Sequence, residues 1–184
     1  MSYAYPNLRS IFWPAENSRL KTTLTIIASA LFLALASQIT VPLSPVPLTF
    51  QSATVVLLGM TLGLRMGLFA VLTYLTMGLM GLPVFAEFSA GIPVFMGPTG
   101  GYLLGFIPAV ALSGFLAQQG FMKGYVSAFL IALVSAASIF LVGVAQLSLF
   151  TGLHTAFLVG FKPFILTELF KLFVISLAAQ HVWR

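Results

Sequence analysis

The residues best suited to chemistry are Glu168 and Lys171, which lie three positions apart in the apolar run FILTELFKLF. The chain has only three acidic residues, and none of them is an aspartate. On an α-helix, residues three apart share one face, so this carboxylate and this ammonium group are expected side by side. Ionisable residues inside an apolar segment are expensive unless paired, and they often mark a functional site. The pair therefore predicts either a ligand site or a structural ion pair.

The composition indicates a membrane protein. Of the 184 residues, 60% are hydrophobic and only 6% are charged, whereas a soluble domain carries about 25% charged residues. Prolines, glycines and charges divide the chain into six apolar segments of membrane-spanning character. These segments lie near 22–41, 48–63, 66–82, 100–119, 124–147 and 158–181. The prediction is an all-α integral membrane protein of the cell membrane, multi-pass, with one six-helix bundle at 22–184 after a cytoplasmic or interfacial arm at 1–21.

The basic residues predict the orientation of the bundle. With six spans, most of them fall on one side of the membrane, which the positive-inside rule makes cytoplasmic. These residues are Arg9, Arg19, Lys21, Arg65, Lys123 and Arg184. Both termini are then expected in the cytoplasm, and the net charge of +5 reflects topology rather than binding to nucleic acid.

Several kinds of chemistry are missing from the sequence. It has no cysteine, no G-x-x-x-x-G-K-[ST] phosphate loop and no G-x-S-x-G nucleophile motif. His154 and His181 are not paired as a zinc motif, so no metal site is predicted. Binding or transport is favoured over catalysis. An intramembrane enzyme that uses Glu168 as a general base stays open as an alternative.

Glycines and two loops suggest how the bundle packs and where a ligand enters. Glycines recur every four residues at 59–67 and 97–105, a spacing that lets helices approach closely. The loop VPLSPVPLTFQ is stiffened by three prolines, and the long connection GLPVFAEFSAGIPVFMGPTGGYLLG is expected to form a lid. Glu87 in this connection is interpreted as a solvated loop residue. The predicted pocket suits a small ligand with an apolar body and polar ends.

The strings VPLSPVPLTFQ, GLPVFA and GPTGGYLLGF, with P-x-x-x-x-E-x-x-K near the C-terminus, resemble the BioY family of biotin transport proteins over residues 30–180. Members are substrate-binding S components of energy-coupling-factor (ECF) transporters. The resemblance implies a biotin site in the outer half of the membrane under loops 42–47 and 83–99. Glu168 stands where the family usually has aspartate. An S component for another vitamin is the alternative. The predicted substrate-binding residues are Gln51, Tyr74, Phe85, Met96, Tyr102, Glu168 and Lys171.

The same resemblance implies partner proteins. S components work with two cytoplasmic ATPases and a transmembrane coupling subunit, which they contact through the first helix. Ala30 and Ala34 resemble the small-residue pair that makes this contact. ATP is then used by the partner subunits only, no cofactor is expected in this chain, and its other surroundings are membrane lipid.

Overall fold

The computed structural model describes residues 19–179. Helix α1, Arg19–Gln38, leads into a two-stranded antiparallel hairpin of β1, Thr40–Val41, and β2, Leu48–Thr49. The following elements are the helical stretch Gln51–Leu79, a 3-10 turn Ala86–Phe88, α4 Ile92–Met96, α5 Gly100–Gln118, α6 Tyr125–Thr151, α7 Leu153–Gly160, a 3-10 turn Lys162–Phe164 and α8 Ile165–Ala179. Most of the predicted N-terminal arm lies outside the described residues, and its last residues already belong to α1.

The stretch Gln51–Leu79 consists of two antiparallel helices that meet at Gly63, which we name α2 (51–62) and α3 (64–79). Gly63 has φ 78° and ψ −179°, a backbone conformation that residues other than glycine rarely adopt. The side chain of Gln51 donates a hydrogen bond to the hydroxyl of Tyr74. A straight helix would separate these two residues by about 34 Å, so the chain must reverse between them. The predicted break between the second and third spans is confirmed.

The described chain contains six helical passes. Four stretches are long and apolar enough to cross a membrane: Arg19–Gln38, Gln51–Leu79, Gly100–Gln118 and Tyr125–Thr151. The second of these supplies two passes because it reverses, and α7 with α8 supplies the sixth. The prediction of an all-α, multi-pass membrane protein with six helices in one bundle is therefore confirmed.

The sixth pass differs from its prediction in two ways. A loop was expected at 148–157, but α6 continues to Thr151 and α7 begins after a single glycine, Gly152, with φ 78°. A continuous helix was expected at 158–181, but a 3-10 turn separates α7 from α8. Pro163 lies in this turn and has no N–H to donate to an α-helical ladder. The interruption leaves α8 as a separate helix that carries Glu168 and Lys171.

Close helix contacts at glycines fix the centre of the bundle. Helix α5 packs against α2 and α3 on one side and against α6 on the other. A methyl group on Gly105 would lie 2.8 Å from the Cα of Ile139 in α6. At Gly59 a methyl group would lie 2.7 Å from the carbonyl oxygen of Val110 in α5. Both distances are too short for a carbon atom, so the prediction that these glycines serve helix packing is confirmed for Gly59 and Gly105.

Candidate substrate-binding site

A cavity of about 550 Å³ lies where two connections meet the end of the bundle. We name residues 42–47 the first loop and residues 83–99 the lid. The volume is within the range of small-molecule sites, roughly 300–1,000 Å³. The first loop, the lid, the start of α2 and parts of α5, α6 and α8 contribute lining residues. They are Pro42, Leu43, Ser44, Pro45, Val46, Pro47, Thr49, Gln51, Ser52, Ala86, Glu87, Ser89, Thr99, Tyr102, Leu103, Phe106, Ile139, Phe140, Phe164, Glu168 and Lys171.

Glu168 and Lys171 lie next to each other on α8, as their spacing predicts. The Lys171 Nζ atom is 2.6 Å from Glu168 Oε2. Both residues line the cavity, although only 5% of Glu168 and 4% of Lys171 is exposed. Two charges buried this deeply need further hydrogen bonds to offset their lost hydration.

Residues at the start of α2 supply those hydrogen bonds. Lys171 Nζ donates to the carbonyl oxygen of Thr49 at 2.9 Å and to Ser52 Oγ at 2.8 Å. Ser52 Oγ in turn donates to Glu168 Oε2 at 2.9 Å. An ammonium group has three N–H donors, and here all three have a protein acceptor. Lys171 is therefore fully engaged by the protein itself.

Glu168 Oε1 is in a different position. It is buried and has no hydrogen-bond partner among residues 19–179. A buried carboxylate oxygen without a partner is costly, and Glu168 belongs to the cavity wall. Glu168 Oε1 is therefore a buried acceptor without a partner, carried by a residue of the cavity wall.

A second polar group is organised around Gln51. Thr49 Oγ1 donates to Gln51 Oε1 at 3.0 Å, and Gln51 Nε2 donates to the hydroxyl of Tyr74. Gln51 lines the cavity, whereas Tyr74 is completely buried behind it. The structure thus brings Gln51 into the wall and makes Tyr74 its support.

Aromatic rings from three helical segments form the apolar part of the wall. Tyr102 packs edge-on against Phe140, with ring centroids 6.1 Å apart, and Phe140 lies 6.0 Å from Phe164. The Tyr102 hydroxyl donates to the carbonyl oxygen of Gly160 at 2.8 Å, which fixes its ring. These surfaces suit a flat or saturated ring system rather than a charged group.

The lid is anchored at both of its ends by side-chain amides. Gln38, at the end of α1, donates from Nε2 to the Phe85 carbonyl oxygen at 3.0 Å and accepts from the Phe88 N–H at 3.1 Å. Gln146 of α6 donates to the carbonyl oxygens of Phe95 and Gly97, each at 2.8 Å. The intervening turn, which lines the cavity, is held between α1 and α6.

Besides Tyr74, two more of the predicted substrate-binding residues lie outside the wall. Phe85 is 1% exposed and packs in the core against Tyr74, with ring centroids 5.4 Å apart. Met96 is 73% exposed and points away from the cavity. The reason is the anchored end of the lid: α4 is a single short helix that directs Phe95 inward, against Phe85, and leaves Met96 on the surface. In this conformation neither Phe85 nor Met96 lines the cavity, and their predicted closure of the pocket stays a prediction.

The two residues of the predicted partner contact, Ala30 and Ala34, lie on α1, and the contact itself stays a prediction. Ala30 is 0% exposed and belongs to the core of the bundle, and Ala34 is half-buried against the same core. In this conformation both alanines serve internal packing of α1. The exposed side of α1 is formed by larger apolar residues, among them Leu31 and Leu35.

Sequence reasoning missed Ser52, the Thr49 carbonyl group and Gln38. Small hydroxyl residues in apolar helices usually bond to their own backbone, so Ser52 gave no signal of its partnership with Glu168, 116 positions away. Gln38 was more accessible to prediction, because an amide at the end of an apolar span needs partners. Within residues 19–179, no group of three or more His, Cys, Asp or Glu side chains is arranged to hold a metal.

Comparison with known proteins agrees with this architecture. The sequence model of the protein family described as "BioY family" matches residues 13–184. The probable biotin transporter BioY of Pyrococcus horikoshii is 39% identical over 156 residues, which are 83% of this chain and 92% of that protein. The biotin transporter BioY of Thermotoga maritima is 39% identical over 161 residues, covering 85% and 94% of the two chains.

A solved structure has the same fold. The crystal structure of the S-component for biotin from an ECF-type ABC transporter superposes with a TM-score of 0.81 at 24% identity. The match covers 90% of this chain and 92% of that chain. With the family match over almost the whole sequence, it follows that this chain belongs to the BioY family.

Proposed function

We propose that the chain is the biotin-binding S component of an ECF-type uptake system in the cell membrane. The observation that carries the proposal is the unpartnered Glu168 Oε1 in the wall of a cavity of about 550 Å³. The relatives are named biotin transporters, and this name supports the same substrate for this chain. Their name also speaks against an intramembrane enzyme that would use Glu168 as a base.

The chemistry of biotin matches the two kinds of wall. Its ureido ring offers two N–H donors and one carbonyl acceptor, and its fused sulfur ring is apolar. Glu168 Oε1 accepts from a ureido N–H, which satisfies the buried carboxylate oxygen that has no partner among residues 19–179. The bicycle lies against Tyr102, Phe140 and Phe164. Gln51 supplies further polar contacts from the start of α2.

The role of Lys171 changes accordingly. Its three donors are used by Thr49, Ser52 and Glu168. Lys171 therefore holds the Glu168 carboxylate in one orientation, so that it can accept a charge-assisted hydrogen bond when biotin arrives. A direct contact of Lys171 with biotin requires the exchange of one of these hydrogen bonds.

Transport requires partners beyond this chain. We propose that a transmembrane coupling subunit and two cytoplasmic ATPases supply the energy, with ATP used on those subunits and no cofactor held here. Helix α1 is the natural contact, because it packs against the helical stretch Gln51–Leu79 on one side and exposes apolar residues on the other. Release of bound biotin then begins when α1 moves, because the hydrogen bonds of Gln38 connect α1 to the lid.

The first test is equilibrium binding of biotin to the purified protein in detergent. Lipoate is the matched competitor, because it has a sulfur ring and the same five-carbon acid chain but no ureido group. Biotin is expected to bind at least about 100-fold more tightly than lipoate, because a site built for a donor rejects an analogue that lacks it. The doubly substituted Glu168→Gln/Lys171→Met protein is expected to lose at least about tenfold in biotin affinity.

Other results would separate the alternatives. A folded wild-type protein that ignores biotin but binds riboflavin or thiamine would indicate an S component for another vitamin. Equal affinities for biotin and lipoate would contradict the role of Glu168 Oε1, because lipoate has a sulfur ring and the acid chain but no ureido N–H for this oxygen to accept.

A further inference from the structure

The charges in the cavity wall are unevenly distributed between its depth and its mouth. Among residues 19–179, the charged lining residues are Glu168, Lys171 and Glu87. The first two form the buried pair, and Lys171 has no donor left for a ligand. Glu87 is exposed and lies on the lid. The wall therefore carries two carboxylates and one fully engaged ammonium group.

The position of Glu87 is determined by the anchored turn of the lid. Glu87 has φ 56° and ψ 35°, and Phe88 also has φ 56°. Residues other than glycine are uncommon at positive φ, and the surrounding structure must hold them in this conformation. Gln38 does so by bonding to the backbone of Phe85 and Phe88, one on each side of the turn. The backbone at Glu87 is thus held in place, and its side chain projects from a fixed point of the rim.

The opposite side of the mouth offers little to an anion. Pro42, Pro45 and Pro47 of the first loop line the cavity, and none of them has an N–H to donate. Ser44 of the first loop contributes a neutral hydroxyl group, and the hydroxyl of Ser89 on the lid already donates to the Ala86 carbonyl oxygen at 2.7 Å. Lys162, in the turn before α8, is exposed and does not belong to the wall.

From these observations, and resting on the proposed biotin function, we infer that the site does not recognise the negative charge of its ligand's carboxylate. With the ureido ring on Glu168 and the bicycle on the aromatic wall, the acid chain ends beside Glu87. Neutral esters and amides of biotin, including biotin joined to an amine, are then substrates of the same site. They bind about as tightly as biotin or a few-fold more tightly, because they avoid the repulsion of Glu87.

The experiment compares biotin, its methyl ester and its primary amide on wild-type protein and on Glu87→Gln. The ester and the amide are expected to match or exceed biotin on the wild type. Glu87→Gln is expected to raise the affinity for biotin about twofold to fivefold at low ionic strength and to leave the affinity for the ester unchanged. The gain should shrink at high ionic strength, because the interaction is screened. Glu87→Asp, which keeps the charge, is the matched control and should resemble the wild type.

Lys162→Met tests the opposing explanation. If this variant lowers the affinity for biotin but not for the ester, a cation recognises the carboxylate and the inference is overturned. A wild-type ester affinity more than about tenfold below that of biotin would overturn it too, while the biotin function would stand. An unchanged biotin affinity in Glu87→Gln would show that Glu87 does not act on the bound ligand, which contradicts the inference. A folded protein that binds neither biotin nor the ester would instead refute the proposed function itself.

Discussion

The carboxylate of Glu168 has two oxygens in different surroundings. Oε2 accepts from Lys171 and Ser52, whereas Oε1 is buried and has no partner among residues 19–179. Such a division lets one side chain stabilise the protein and receive a ligand at the same time. It also means that the two roles of the ion pair can be separated by substitution.

Removal of Lys171 alone should damage stability more than removal of the whole pair. Lys171→Met leaves Glu168 buried without its cation, and we expect it to destabilise the protein by about 3 kcal/mol. Glu168→Gln/Lys171→Met removes both charges and should stay within about 1 kcal/mol of the wild type. Thermal unfolding in detergent measures both variants. A single variant as stable as the wild type would show that the pair contributes nothing to the fold.

At the scale of elements, the lid depends on helices that are distant in sequence. Its inner turn is bonded to the end of α1 and its outer end to α6. A connection of this length is usually mobile when it lacks such contacts. The anchors therefore set how readily the cavity opens, although Gln38 and Gln146 do not line it.

Gln38→Ala should increase the rate at which biotin leaves. The variant loses two hydrogen bonds to the lid, each contributing about 1 kcal/mol, so we expect dissociation to become up to about thirtyfold faster. Release of labelled biotin, chased with unlabelled ligand, measures this rate. Gln119→Ala is the matched control, because Gln119 is exposed at the end of α5. Equal rates in wild type and Gln38→Ala would show that the anchor does not control opening.

The contrast between the elements shows which features a sequence can predict. The reversal at Gly63 was predictable, because Arg65 would otherwise lie in the middle of one long apolar helix. The pairing of Glu168 with Lys171 was predictable from helical spacing alone. The inward direction of Phe95 and the surface position of Met96 were not, because they depend on Gln146 bonding to the backbone 49 and 51 positions away. Tertiary contacts of this kind leave no periodic pattern in the chain.

At the scale of the whole molecule, the six passes place the connections on two opposite faces. The first loop and the lid lie at one end, and the turns at Gly63 and after α5 lie at the other. The cavity opens toward the first end, so the orientation of the bundle decides from which compartment ligand is captured. The positive-inside rule predicts that the face with Arg65 and Lys123 is cytoplasmic.

Single-cysteine labelling tests this orientation directly, because the natural chain has no cysteine to replace first. Ser44→Cys places a thiol in the first loop, and Gln119→Cys places one at the opposite face without changing any charge. In intact cells, a membrane-impermeant maleimide should label the Ser44→Cys variant and reach the Gln119→Cys variant only after permeabilisation. Biotin should protect the Ser44→Cys variant, because Ser44 lines the cavity, and should leave the Gln119→Cys variant unaffected. The reverse labelling pattern would place the cavity on the cytoplasmic face, and a bundle in that orientation would not capture biotin from outside the cell.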